Sequence, residues 1–553
     1  MKYSKSIFAG LLAGLCVFVS VAGNDASRKD KFMRKLQVFN SIVKELNTNY
    51  VDTLNANELM DETIGALLYQ IDPYTEYYPA DDQDELLSIS QGQYPGIGSV
   101  ISKRGGEVII AQPQEGSPSQ KQGLMPGDVI LAINGDALAA DVDVTQVSRR
   151  LRGQAGTEVK LDMRRPFVAD SLFSVTIVRD NIKVSPLPYY GVDADGVGYI
   201  RLTTFNESSA RSVRSAVLDM MKNPALKGLV IDLRSNGGGL LEGAVQIASN
   251  FVPKGTEIVR TQGRDSRDRK IYKTTTGPLD TELPLAFLID GGTASSSEIL
   301  AGSMQDLDRA VIVGQRSYGK GLVQVSRPLP FGDLLKITVG RYYIPSGRLI
   351  QALDYQNRDE QGRPTRMPDS LTTEFRTAAG RTVRDGGGIT PDVVMKVSEG
   401  NRLLYNIVAD NWAFDFATKY RAMHPDAPED SIVTEAVFNE FKAYIDPDKF
   451  KYDRQCETAV EFLRKAAENE GYMTDSVAAQ FDILAGMLKH DLNHDLDINR
   501  GEIEKILETE LGSRYFTNAE LLRRRIVDDE EYLEAKAILL DAERYRKLLS
   551  PEN

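Results

Sequence analysis

Histidine is nearly absent from this chain. Only His424, His490 and His494 occur among 553 residues. All three lie in a downstream stretch that reads as helical, so a Ser-His-Asp relay has no histidine near a candidate nucleophile. Cysteine is scarcer, with only Cys16 and Cys456. Cys16 sits inside an N-terminal apolar run. Once a leader is removed, Cys456 has no partner for an intramolecular disulfide, and the body must be stabilised by its core. An excess of basic residues is missing too. The 66 Lys and Arg against 79 Asp and Glu give a formal net charge of -13. No basic stripe runs along the chain, which argues against nucleic acid or an anionic membrane surface as partner. After the N-terminus, no segment is apolar enough to cross a bilayer.

What is present reads as a soluble protein of several domains, 42% hydrophobic and 26% charged. Lys2 and Lys5 precede an apolar run over residues 7–22, and the small residues Ser20, Ala22 and Gly23 close it. This predicts a secretory signal over 1–23 and an exported, periplasmic protein. The alternative is an uncleaved anchor that keeps the protein at a membrane, although the run is short for a span. A lipoprotein signal fits less well, because Leu15 stands before Cys16 where a small residue is expected.

Apolar spacing predicts a helical region over 29–87, through Phe32, Leu36, Phe39, Val43 and Leu46 and again through Leu59, Ile64, Leu67 and Leu68. Residues 88–180 read as a β-rich unit, with a strand from Val129 to Ile133 between the turns at Pro126-Gly127-Asp128 and Asn134-Gly135. Over 184–397 strands and helices alternate. Strands are expected at 197–202, 228–233, 285–289 and 310–313, with helices at 208–221, 240–251 and 296–305, which makes a βαβ-type core with a mixed sheet. Residues 401–553 read as helical and charge-rich. The fold class is multidomain α/β, with the β-rich domain inserted before the core and helical regions at both ends.

The chemistry gathers at two glycine-rich turns. Ser295 follows Gly291-Gly292-Thr293-Ala294 directly after the apolar strand, and Lys320 stands between Gly319 and Gly321. A lysine flanked by glycines can be buried. Burial makes it lose its proton more easily, and it can then act as a base toward a serine. The plain reading of Ser295-x-x-Glu298 is a capping box, and the two roles can coexist at a helix N-terminus. Gly314 to Lys320 mimics a phosphate-binding loop. However, Gly321 stands where the magnesium-binding hydroxyl is needed, and a strand-like run follows instead of a helix. Asp491, Asn493, Asp495, Asp497, Asn499 and Glu502 mimic calcium-loop spacing, but Leu496 stands where the glycine turn is needed, and apolar residues from Leu484 to Leu507 favour continuous helix.

Asp232-Leu233-Arg234-Ser235-Asn236-Gly237-Gly238-Gly239, Thr293-Ala294-Ser295-Ser296-Ser297-Glu298-Ile299 and Tyr318-Gly319-Lys320-Gly321-Leu322-Val323-Gln324 occur in this order. Together they resemble the carboxy-terminal processing, or tail-specific, proteases of serine peptidase family S41, over about residues 32–394. The resemblance implies a Ser295–Lys320 dyad that needs no metal or organic cofactor. It implies an oxyanion hole from the Gly238 and Ser296 amides. The choice among the three glycines stays open, because relatives often carry proline where this chain has Gly237. It implies that Gln324 steadies Lys320, and it makes Asp306 an acidic position of the family, read here as structural. Gly123 to Gly135 is similar to a PDZ signature, with the groove helix at 144–151. That makes Gly96, Ile97, Gly98 and Ser99 the loop whose amides would grip a peptide's terminal carboxylate. The implied partners are proteins or peptides with exposed C-termini. The helical flanks are expected to join a homodimer, or else to pack on the protease core of a monomer. The rival reading is a catalytically silent PDZ adaptor that binds C-termini without cutting them.

Overall fold

The computed structural model describes residues 30–80, 83, 91–169, 171–396, 401–426, 428, 431–452 and 454–551. The expected leader lies outside the described residues. The chain divides into two units, Met1–Pro79 with Ser326–Ile337, and Ala80–Val325 with Thr338–Asn553.

In the first unit residues 30–49 are helical. A second helix, Ala56–Tyr69, starts behind Asn55, whose side chain accepts the Glu58 amide. It buries none of its residues, and the first helix leaves Phe32, Leu36 and Ile42 exposed. The helical pattern stops where Asp72 folds back to accept the amides of Tyr74 and Thr75. Glu76–Tyr78 then pairs antiparallel with residues 334–336.

The centre of the second unit is a six-stranded sheet. Its strands are β1 (Tyr189–Val192), β2 (Val197–Arg201), β3 (Gly228–Asp232), β4 (Leu285–Ile289), β5 (Val311–Gly314) and β6 (Val393–Val394), and they lie side by side in sequence order. β1 is antiparallel to β2, and the rest are parallel. Parallel neighbours need crossovers, and those from β2 through β5 are supplied by α1 (Ser209–Met220), α2 (Leu241–Ala248) and α3 (Ser296–Asp306). Strand side chains alternate between faces. Leu285, Phe287 and Ile289 of β4 join the cluster built with α1, α2 and α3. Ala286 and Leu288 join a second cluster on the opposite face, with Tyr532, Ala535, Ile538 and Leu539.

That second cluster redraws the helical tail. The helix that carries it, Glu530–Leu540, comes from the far end of the chain and packs on the protease-like sheet. Burying an Ile or Leu side chain is worth about 1.5–3 kcal/mol, so this helix is part of the core and not an appendage. Arg234, just after β3, pairs with Asp232 at 2.6 Å, with Asp529 at 2.9 Å and with Glu531. The rest of the tail has its own core around Phe416, Phe438, Phe441 and Phe450.

The β-rich unit is a second six-stranded sheet. Ser99–Arg104 lies at its edge, followed in space by Glu107–Pro113, Val129–Ile133, Glu158–Arg164 and Leu172–Val178, with the short Asp136–Ala137 also paired to Val129–Ile133. The groove helix, Val144–Leu151, buries Val147 and Leu151. This unit leans on the helical tail, where the Phe414 ring lies between two guanidinium groups, Arg104 at 3.7 Å and Arg514 at 4.2 Å from its centroid. Asp415 holds Arg104 at 2.9 Å.

One expectation changes here. The continuous helix from Leu484 to Leu507 is three helices, Asp475–Met487, Leu492–Ile498 and Arg500–Tyr515. The carboxylates of the calcium-like spacing face separate partners. Asp491 caps the second helix through the His494 amide, Asp495 takes Tyr452 and His490, and Asp497 pairs with Lys442.

Candidate active site

Three loops leave the carboxyl ends of three neighbouring parallel strands, β3, β4 and β5, and meet. This is where open parallel sheets place their ligands, because the crossovers on either side of a strand end leave a crevice. The loop after β3 carries Gly237–Gly239, the loop after β4 carries Ser295, and the loop after β5 carries Lys320.

Ser295 heads α3 in a backbone conformation that side-chain-bearing residues rarely adopt, φ 57 and ψ -117. Such strain costs about 1–3 kcal/mol and persists only where surroundings over-determine it. Here they do. The Glu298 carboxylate accepts the Ser295 amide at 2.8 Å, Asn236 O accepts the Ala294 amide at 3.0 Å and the Ser297 hydroxyl at 2.9 Å. Asp290 accepts the Ser235 amide at 2.8 Å and the Gly292 amide at 3.0 Å. Ser295 and Glu298 form the capping box that their spacing suggests, and the serine side chain is partly exposed.

Lys320 is brought to Ser295 from both sides of its peptide plane. One oxygen of Glu298, Oε2, accepts the Lys320 amide at 2.9 Å as well as that of Ser295. The Tyr342 hydroxyl donates to the carbonyl of Ser295 at 3.2 Å and to that of Lys320. The other Glu298 oxygen accepts Gly319 N–H at 2.7 Å and Ser317 Oγ–H at 2.5 Å. Lys320 is partly exposed, not buried as its glycine neighbours suggested. Glu298 is fully buried, and burial pushes its carboxyl up to about 7 against the four hydrogen bonds that favour the ionised form. The same bonds show why the phosphate-loop likeness is superficial, since the amides of Gly319 and Lys320 already serve a carboxylate.

The glycine loop lies against the serine. A methyl group on Gly238 would sit 2.8 Å from Ala294 O, Ser295 Cβ and Ser296 N, so only glycine allows this approach. The Gly238 amide, however, donates to Asn236 Oδ1 at 2.9 Å. The expected oxyanion donor at this position is therefore already engaged. The Ser296 amide meets no acceptor among the described residues.

Gln324 bonds to a neighbouring strand. It lies on the strand Leu322–Pro328, and its amide donates to Thr338 Oγ1 at 3.1 Å. Asp306 ends α3 deep in the core, paired with Arg348 at 2.8 Å and accepting Ser346 N–H at 2.9 Å. Burial pushes its carboxyl up and Arg348 opposes the shift, which suits a structural pair. Glu298, Tyr342 and Asn236 join the site without having been expected there. For Glu298 the signal was present as the capping-box spacing, whereas Tyr342 arrives from a distant strand with no local mark.

In the β-rich unit Gly96, Ile97 and Gly98 are buried and lead into the edge strand at Ser99. Gly98 takes φ 76. Its carbonyl accepts the Gln114 amide and the Ser119 hydroxyl, each at 2.8 Å, and Ile97 O accepts the Ser119 amide at 3.0 Å. With these carbonyls tied down, the amides of Ile97 and Gly98 have no acceptor among the described residues, beside a strand edge that can take another strand.

Residues 196–356 match the model of peptidase family S41, residues 109–165 that of a PDZ domain, and residues 403–539 that of a probable PDZ-protease C-terminal helical domain. The chain is 34% identical over 354 residues to the carboxy-terminal-processing protease of Bartonella bacilliformis, spanning 63% of this chain and 80% of that one. The chain belongs to the carboxy-terminal-processing proteases, peptidase family S41. To the family member CtpA of Bacillus subtilis the protease is 28% identical over 350 residues, 62% of this chain and 73% of that one. The solved photosystem II D1 C-terminal processing protease overlays 65% of this chain and 92% of its own at 26% identity, with a TM-score of 0.36.

Proposed function

We propose that this protease is an exported endopeptidase that cuts by a Ser295–Lys320 dyad. Lys320, in its neutral form, takes the proton of Ser295 Oγ. The oxygen attacks the scissile carbonyl, and the C–N bond breaks as Lys320 returns the proton to the leaving amine. The acyl-enzyme that remains is hydrolysed by a water that gives its proton to the neutral Lys320 and so regenerates the Ser295 hydroxyl. The observation that carries the reading is the strained Ser295 at the head of a buried helix, with the Lys320 peptide bonded to the same Tyr342 hydroxyl. The Ser296 amide supports the oxyanion. The Gly238 amide can add to it only when Asn236 releases it. Export rests on the leader over 1–23.

The PDZ domain recruits substrates by their C-termini through the Ile97 and Gly98 amides, and the N-terminal helices, with their exposed apolar faces, join two copies. Peptide cleavage by wild type, Ser295→Ala and Lys320→Ala tests the dyad. Both variants should fold and lose turnover, and a Lys320→Ala protein that cuts at the wild-type rate would remove lysine from the mechanism. Amidating the substrate's C-terminus should slow cleavage. Equal rates for acid and amide would make the Gly96–Ser99 loop a turn only.

A further inference from the structure

We infer that Glu298 is the positioning residue that sets Ser295 against Lys320, by holding the amides of both on a single carboxylate oxygen. The inference rests on the dyad reading above and adds to it the element that aligns the two groups. A capping box asks only that Glu298 accept the Ser295 amide. Three further donors, Ser317 Oγ–H, Gly319 N–H and Lys320 N–H, come from the loop after β5, and a helix cap gives no reason for them.

The carboxylate has no cationic partner among the described ion pairs, and it is 0% exposed. A buried carboxylate without a counter-charge is costly to keep, so four neutral donors converging on it amount to a built anchor. Its place on the first turn of α3 leaves no slack. Every residue of that helix is buried, and the helix joins the core through Ile299, Leu300, Ala301 and Met304. Tyr342 grips the opposite, carbonyl side of the same two residues. Together they clamp the two peptide units, which sit 25 positions apart in the chain, through backbone atoms alone. Glu298 itself touches no reacting atom.

The test is steady-state cleavage of a peptide with a free C-terminus by the full chain, together with the fluorophosphonate labelling rate of Ser295 without substrate. Wild type, Glu298→Gln, Glu298→Asp and Lys320→Ala are compared. Gln is isosteric, so a packing role would survive it, yet it presents an NH2 where two donors need an acceptor. Glu298→Gln should lower kcat and the labelling rate by about a hundredfold, the scale of a small misplacement of reacting groups, with KM changed less than about twofold and a cooperative melt. Should Glu298→Gln not fold, Glu298→Asp keeps the charge but is one methylene too short to span both loops. It should lose at least about tenfold in kcat at unchanged KM. A folded Glu298→Gln or Glu298→Asp with wild-type kcat, beside an inactive Lys320→Ala, overturns the inference and leaves the dyad standing. Turnover by Lys320→Ala removes the dyad reading instead.

Discussion

A fully buried glutamate that keeps its acceptors busy with backbone amides has a thermodynamic signature. Its folded-state pKa of about 7 lies above the ordinary 4.5 because burial disfavours the charge. The native protein therefore binds this proton more tightly than the unfolded chain between those values. Stability should fall as pH rises from about 4.5 to about 7, by about 3 kcal/mol for this group alone. Glu298→Gln should remove that slope, which melting temperatures across the range would check. An unchanged slope would mean that the carboxylate is ionised throughout. At this scale the turns that carry Ser295 and Lys320 were legible, because glycines precede the one and flank the other and turn signals are local. Gln324 was not, because the group a strand side chain meets depends on which strand lies beside it. The pairing with Thr338 follows from sheet register, and no short motif encodes it. Glu298 was half legible. Its spacing announced a cap, but the loop that supplies the other three donors lies some twenty residues downstream.

Two contacts between elements lend themselves to measurement. The helix Glu530–Leu540 covers the second face of the sheet with Ile538 at 0% exposure. Ile538→Ala should cost about 2–5 kcal/mol and lower the melting temperature of the whole protease core, read by near-UV circular dichroism. A melt confined to the tail would show that the helix is separable. The Phe414 ring sits between Arg104 and Arg514, and Ile109 and Val129 pack on it from the PDZ sheet. Phe414→Ala should raise hydrogen exchange over the outer PDZ strands, residues 99–113, while the PDZ core around Ile133, Val159 and Leu161 stays protected. Strand positions could be read ahead of structure, since all-apolar runs such as Leu285 to Ile289 fit only a strand buried on both faces. The partner of the last helices could not be read. An apolar stripe says that a helix face must be covered, but not by which of the distant surfaces it will be.

For the whole molecule, the two helical ends part company. The tail spends its apolar stripes on two internal cores, whereas the N-terminal helix leaves Phe32 67% and Ile42 52% exposed. Self-association should therefore run through the N-terminal helices. Light scattering should give a dimer for the signal-free protein and a monomer for Phe32→Glu with Ile42→Glu. A dimer that survives both substitutions would place the interface elsewhere. The route of the chain has one more consequence. Ser295 and Lys320 are translated well before the sheet beneath them gains its second covering layer, which comes from a helix that begins at Glu530. At about 5–20 residues per second, the ribosome takes roughly 10–40 s to go from one to the other. Over that interval the nascent chain carries both residues on an unfinished scaffold. The order of the chain thus postpones the second layer of that sheet until some two hundred residues after the two loops have been made.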